Sequence, residues 1–148
     1  MQSLENNRND RDEPISIILL DIDNFKKFNN DHSHKIADQI LAKIGEDLIK
    51  DKRSSDEVYR YHRCGDEFLI ICKKTSSSNA FRTPENKRKI IEGTDFDIDE
   101  KTFKCTVSCG VTDYKKDESA SVVCKRVEKA LMKPKHELNK KNCSVLKR

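Results

Sequence analysis

The sequence predicts an α+β fold, with helices packed on a mainly antiparallel central sheet. Three observations carry that prediction. Ile15-Ser-Ile-Ile-Leu-Leu20 is an apolar run rich in β-branched residues, as in a strand buried on both faces. Apolar residues at 36, 37, 40, 41, 44 and 48 follow the spacing of an amphipathic helix over 36–49. Glu57–Tyr61 and Glu67–Lys73 read as two strands around a short turn, an antiparallel hairpin internal to the chain.

The remaining elements follow in order. The first fourteen residues, MQSLENNRNDRDEP, are polar, lack apolar periodicity and end in proline, which predicts a disordered arm or linker remnant. A short helix is expected over Asn24 to Asn30, and a polar loop over Ser76 to Arg82. Thr83-Pro84-Glu85 offers an N-cap with proline in first helical position, predicting a helix to Glu92 that stops at Gly93. Phe103 to Val111 reads as a strand, Ser119 to Leu138 as a helix and Cys143 to Leu146 as a closing strand. The order β, α, α, β, β, α, β, α, β around an internal hairpin is that of a ferredoxin-like arrangement.

Length and composition narrow the function classes. The chain has 148 residues, 34% of them hydrophobic and 38% charged, enough for one core but not two. No apolar stretch approaches the roughly 20 residues that cross a bilayer, and no signal-like N-terminus is present, so a cytoplasmic protein without a membrane segment is expected. The six cysteines are scattered with no CxxC pair, which predicts free thiols; Cys105 and Cys109, four apart in the expected strand, share a face and are the one candidate metal pair among them. A net charge of +4 with dispersed basic residues does not call for a nucleic-acid partner.

The chemistry gathers at strand ends. Asp21 and Asp23 end the first strand, and Asp66 and Glu67 lie at the hairpin turn. If those strands are neighbours, the carboxylates converge at one edge of the sheet and repel unless a cation joins them. Carboxylates with a backbone carbonyl suit a hard ion such as Mg²⁺, which keeps waters and substrate phosphate in its shell, and such a site points to phosphoryl or nucleotidyl transfer.

Leu20-Asp-Ile-Asp-Asn-Phe-Lys-Lys-Phe-Asn29, then Asp38, then Cys64-Gly-Asp-Glu-Phe68, resembles the GGDEF family of diguanylate cyclases. Thr106-Val-Ser-Cys-Gly110 is similar to the family's late strand, and Glu128-Lys-Ala-Leu-Met-Lys-Pro-Lys135 to its final helix, so the likeness spans residues 15 to 146. It implies a nucleotidyl-cyclase palm over 15–148 in which two GTP molecules, held on the two halves of a homodimer, condense to cyclic di-GMP. On that resemblance Asp21, Asp66 and the carbonyl of Ile22 bind Mg²⁺, with Mn²⁺ as the alternative ion, and Glu67 acts at the metal or at the attacking hydroxyl. Asn29 and Asp38 match positions that hydrogen-bond the guanine edge; a carboxylate accepts from the guanine N1–H and 2-amino donors but opposes the N1 acceptor of adenine. Gly65 lets the nucleotide approach closely, and Phe25 and Lys26 match positions beside the phosphates. Lys135 matches a phosphate-binding lysine. Core packing fits Phe25 equally, and a solvated helix face fits Lys135 equally.

Arg53-Ser-Ser-Asp56 resembles the RxxD inhibitory site at which the product cyclic di-GMP binds in this family. The chain also departs from the pattern. Cys64 replaces the first glycine, where positive φ costs a residue with a Cβ about 1 kcal/mol. His62-Arg63 are two extra residues before the turn, Ser33 and Ala37 replace glycines near the base site, Val127-Glu128 replaces Ala-Asp, and Asn139 stands for a helix-ending glycine. The alternative expectation is therefore a silent domain that binds GTP or cyclic di-GMP as a receptor.

Overall fold

The structure, a computed structural model, describes residues 13–61, 67–136 and 144–147. The expected arm lies outside the described residues up to position 12, and so do His62, Arg63, Cys64, Gly65, Asp66 and Asn139.

The chain forms β1 (Ile15–Ile22), α1 (Phe25–Asp31), α2 (His34–Asp51), β2 (Glu57–Tyr61), β3 (Glu67–Lys73), α3 (Ser77–Ala80), α4 (Arg82–Glu92), β4 (Phe96–Ile98), β5 (Lys101–Phe103), β6 (Val107–Tyr114), α5 (Ala120–His136) and β7 (Ser144–Lys147). Five strands make one sheet in the order β2-β3-β1-β6-β7, and β4-β5 is a separate small hairpin. Every pairing in the large sheet is antiparallel except β6-β7. The fold is thus the α+β type that the sequence predicts.

β1 is central because both of its faces are apolar. Ile18, Leu20 and Ile22 point into a core with Ile40, Leu41, Ile44 and Leu48 of α2, while Ile15, Ile17 and Leu19 pack with Val123, Val127 and Leu131 of α5. At about 1.5–3 kcal/mol for each fully buried aliphatic side chain, these two faces supply the main favourable term in folding. Gly110 of β6 admits α5 at close range, since a Cβ there would stand 3.0 Å from Val127 Cγ2 and 3.1 Å from Val127 O.

Four local expectations are corrected. The polar stretch Ser76 to Arg82 contains the helical turn α3, because Ser76 Oγ accepts from Asn79 N and the Asp113 carboxylate accepts from Ser77 N at 2.6 Å and Ser77 Oγ at 2.7 Å. With α3 leading into it, α4 begins at Arg82, so Thr83 is not its N-cap and Pro84 sits inside the first turn, where no N–H is needed. The expected strand Phe103–Val111 is two strands separated by 104–106, and Cys105 lies in that connection, so it does not share a strand face with Cys109. The β4-β5 hairpin over 96–103 was not expected, and its turn residues Asp99 (φ 52°) and Glu100 (φ 66°) adopt positive φ without glycine. The remaining boundaries shift by one or two residues. Cys72, Cys105, Cys109 and Cys124 are free thiols, as expected.

Candidate active site

The strand register decides which carboxylates meet. β1 lies between β3 and β6, with Asp21 the Cα partner of Glu67 on one side and of Ser108 on the other. Directly opposed residues on one face have Cβ atoms about 5 Å apart, within reach of a shared ion. Asp21 shares its face with Leu19, and Glu67 with Leu69, so both carboxylates lie on the α5 side of the sheet.

Asp23 does something else. It is buried at 6% exposure, and its carboxylate accepts from Thr106 Oγ1 and Ser108 Oγ, each at 2.8 Å, while its N–H donates to Thr106 O at 2.9 Å. That clasp fixes the turn in which Asn24 takes the left-handed conformation (φ 57°) and α1 begins. The sequence placed Asp21 and Asp23 together; the structure separates a strand-end carboxylate from a turn-holding one. Thr106 and Ser108 were legible only as parts of a strand, since a hydroxyl's partner 83 or 85 residues away leaves no local signal.

α5 starts at the far end of β6 and runs back along β1, crossing it at Val127 and Leu131 beside Gly110, the Cα partner of Leu19. One helical turn past Leu131, about 6 Å along the axis, Lys135 falls at the Asp21 end of the sheet. On the other face α1 and α2 pack together, joined through His32 and Ser33, whose Oγ accepts from Ile36 N at 3.2 Å. Asn29 is half-buried on α1, and its Oδ1 is buried without a hydrogen-bond partner among the described residues; Asp38 on α2 is exposed. Lys26 is exposed as well. Phe25 is half-buried and stacks on Phe28 at 6.4 Å. A cleft of about 550 Å³ opens beside it, lined by Phe25, Phe28, His32, Lys27, Glu92 and Cys105 among others, and none of Asp21, Lys26, Asn29, Asp38 and Glu67 contributes.

For a divalent cation, the described donor set is Asp21, Glu67 and the carbonyl of Ile22 at the β1 end, all oxygen and therefore suited to a hard ion. No group of three or more acidic, histidine or cysteine side chains converges among the described residues. Asp66, expected from the sequence as a further ligand, lies outside the described residues.

Arg53 and Asp56 close a turn at the opposite end of the sheet. Arg53 Nη2 donates to Asp56 Oδ1 at 2.8 Å, Nε donates to both carboxylate oxygens at 3.2 Å, and the Asp56 side chain is 6% exposed. Asp56 directly precedes β2, whose Glu57 pairs with Ile71, while Tyr61 pairs with Glu67. Along β3 the two sites stand roughly 20 Å apart.

Comparison with known proteins decides the family: a model described as "Diguanylate cyclase, GGDEF domain" matches residues 1–141. The chain belongs to the GGDEF family. Similar proteins include diguanylate cyclase A of Treponema denticola, 34% identical over 131 residues, which make up 88% of this chain and 35% of that protein. Diguanylate cyclase DosC of Escherichia coli is 38% identical over 81 residues, 55% of this chain and 17% of that protein. The GGDEF chain thus spans 35% and 17% of the length of these relatives. Among solved structures, diguanylate cyclase SiaD of Pseudomonas aeruginosa, in complex with its activator SiaC, aligns at TM-score 0.89 with 23% identity over 99% of this chain and 56% of that one. The GGDEF domain of DgcB from Caulobacter crescentus, in complex with c-di-GMP, aligns at 0.85 with 24% identity over 97% of this chain and 81% of that one. These two establish the fold. No helix among the described residues is long and apolar enough to cross a membrane.

Proposed function

We propose that this GGDEF domain is a diguanylate cyclase that condenses two GTP molecules to cyclic di-GMP across a homodimer. The observation that carries the reading is the register pairing of Asp21 with Glu67 at the sheet end toward which α5 returns. Each 3′-hydroxyl attacks the α-phosphorus of the facing nucleotide, forming a P–O bond as the bond to pyrophosphate breaks. A bound Mg²⁺, or Mn²⁺, supplies charge neutralisation at the phosphoryl oxygens, the main need of such a transfer.

The chain's own groups have separate tasks. Asp21, Asp66 and the Ile22 carbonyl hold the ion, and Glu67 accepts the proton of the attacking hydroxyl or assists at the metal. Asn29 and Asp38 read the guanine edge, and the unpartnered Asn29 Oδ1 is the acceptor such a task requires. Gly65 makes room for the nucleotide, while Phe25, Lys26 and Lys135 flank its phosphates. Arg53 and Asp56 form the site at which product binds and restrains the enzyme.

Incubation with GTP and Mg²⁺ at high protein concentration, read by mass spectrometry, is expected to yield cyclic di-GMP. Absence of product under those conditions overturns the cyclase reading. Binding of GTP or cyclic di-GMP without turnover would instead identify a receptor domain.

A further inference from the structure

Arg53 is held by more than its RxxD partner. Its Nη2 also donates to Thr75 Oγ1 at 2.7 Å, and the Thr75 hydroxyl donates in turn to Lys73 O at 3.0 Å. The hydroxyl is therefore oriented, with its proton on Lys73 and a lone pair on Arg53. Thr75 follows Lys74, whose φ of 56° turns the chain out of β3, and its own backbone is tied down separately: Thr75 N donates to Pro14 O at 2.8 Å and Thr75 O accepts from Ser16 Oγ at 2.5 Å. Thr75 is thus a fixed post against which the guanidinium is braced.

We propose that Thr75 is a positioning residue of the Arg53 site, holding the guanidinium so that its remaining nitrogen, Nη1, faces an acceptor on the ligand such as a guanine O6. The proposal rests on the reading of Arg53 and Asp56 as the cyclic di-GMP site. The bonds to Asp56 and Thr75 use Nε and Nη2, which leaves Nη1 for a further acceptor, and the Arg53 side chain remains 55% exposed although Asp56 is buried. An arginine that is already oriented loses little rotamer freedom when ligand arrives, and that saving appears as affinity. The neighbouring Cys72 thiol does not compete for the guanidinium as an anion, because burial pushes its pKa up to about 12.

Isothermal titration with cyclic di-GMP tests this on Thr75→Val, which keeps shape and removes the acceptor, and on Thr75→Ser, which restores it. The expected result is affinity weakened about tenfold by Thr75→Val and recovered by Thr75→Ser, with catalytic turnover in the absence of product unchanged. Arg53→Lys, which keeps the charge but lacks the fork, is expected to bind as weakly as Thr75→Val or more weakly, and needs no change at Thr75. Unchanged or tighter binding by Thr75→Val, while Arg53→Ala abolishes it, overturns the role of Thr75 alone. Undiminished binding by Arg53→Ala overturns the inhibitory-site reading on which the proposal stands.

Discussion

Asp21 and Glu67 are direct partners across the β1–β3 ladder, on the face of the sheet covered by α5. Two like charges so placed repel, and a cation between them reverses the sign of the interaction.

Asp21→Asn and Glu67→Gln are each expected to lower cyclic di-GMP formation by about 10³-fold or more, since the charge balance at the transferring phosphoryl group is lost. Removing one of two opposed charges leaves folding intact, so the thermal midpoint should fall by no more than ~3 °C. Turnover assays and calorimetry on the same samples check the pair of outcomes; a large drop in midpoint would show the carboxylates to be structural.

Base choice should reside in Asp38. Exchange to Asn substitutes one donor for an acceptor facing guanine N1–H, and the expected outcome is a KM for GTP raised about tenfold or more, with better relative use of ATP. Competition between the two nucleotides reads this directly.

Stability on the acid side should depend on Glu118 and Arg126. Arg126 makes a two-bond contact to the Glu118 carboxylate and also donates to Thr112 Oγ1 at 3.0 Å and Asp113 O at 2.7 Å, tying α5 to the end of β6. The hydrogen bond from Arg126 and the N–H of Lys115 hold the Glu118 carboxyl below the usual glutamate range. A lowered carboxyl binds fewer protons folded than unfolded, so its contribution is complete above the ordinary value near 4.3 and is lost as pH falls through the folded pKa. Glu118→Gln is expected to remove about 1–3 kcal/mol at pH 7 and to flatten that acid limb in urea titrations from pH 7 to 3.

Gly110→Ala tests the seat of α5. The added methyl meets Val127 Cγ2 at 3.0 Å and a backbone carbonyl at 3.1 Å, and only the valine can give way. Overpacking of about 1–3 kcal/mol is expected in denaturant unfolding. Because α5 carries Lys135, turnover should fall as well.

Much of this was legible in the chain. The apolar run of β1 and the helical spacing of α2 are single-element patterns, and each states its own burial. The carboxylates could be named because DxD and GDE sit where strands end. Harder to read were α3 and the β4-β5 hairpin. α3 is a single turn in a serine-rich stretch, capped by Asp113 from 36 residues away, and the hairpin turn uses Asp99 and Glu100 at positive φ with no glycine to mark it.

The sequence by itself determined the fold class and the family and named candidate residues for nucleotide chemistry, because those depend on periodicity and on residue type at short spacing. Only the tertiary structure decided which of them act together. Strand order set Asp21 opposite Glu67, a clasp by Thr106 and Ser108 took Asp23 for the turn, and the brace from Thr75 reached Arg53. The physical reason is that hydrogen-bond partners and opposed charges are selected by distance in space, and residues 22 to 85 positions apart acquire that distance only when the sheet is assembled.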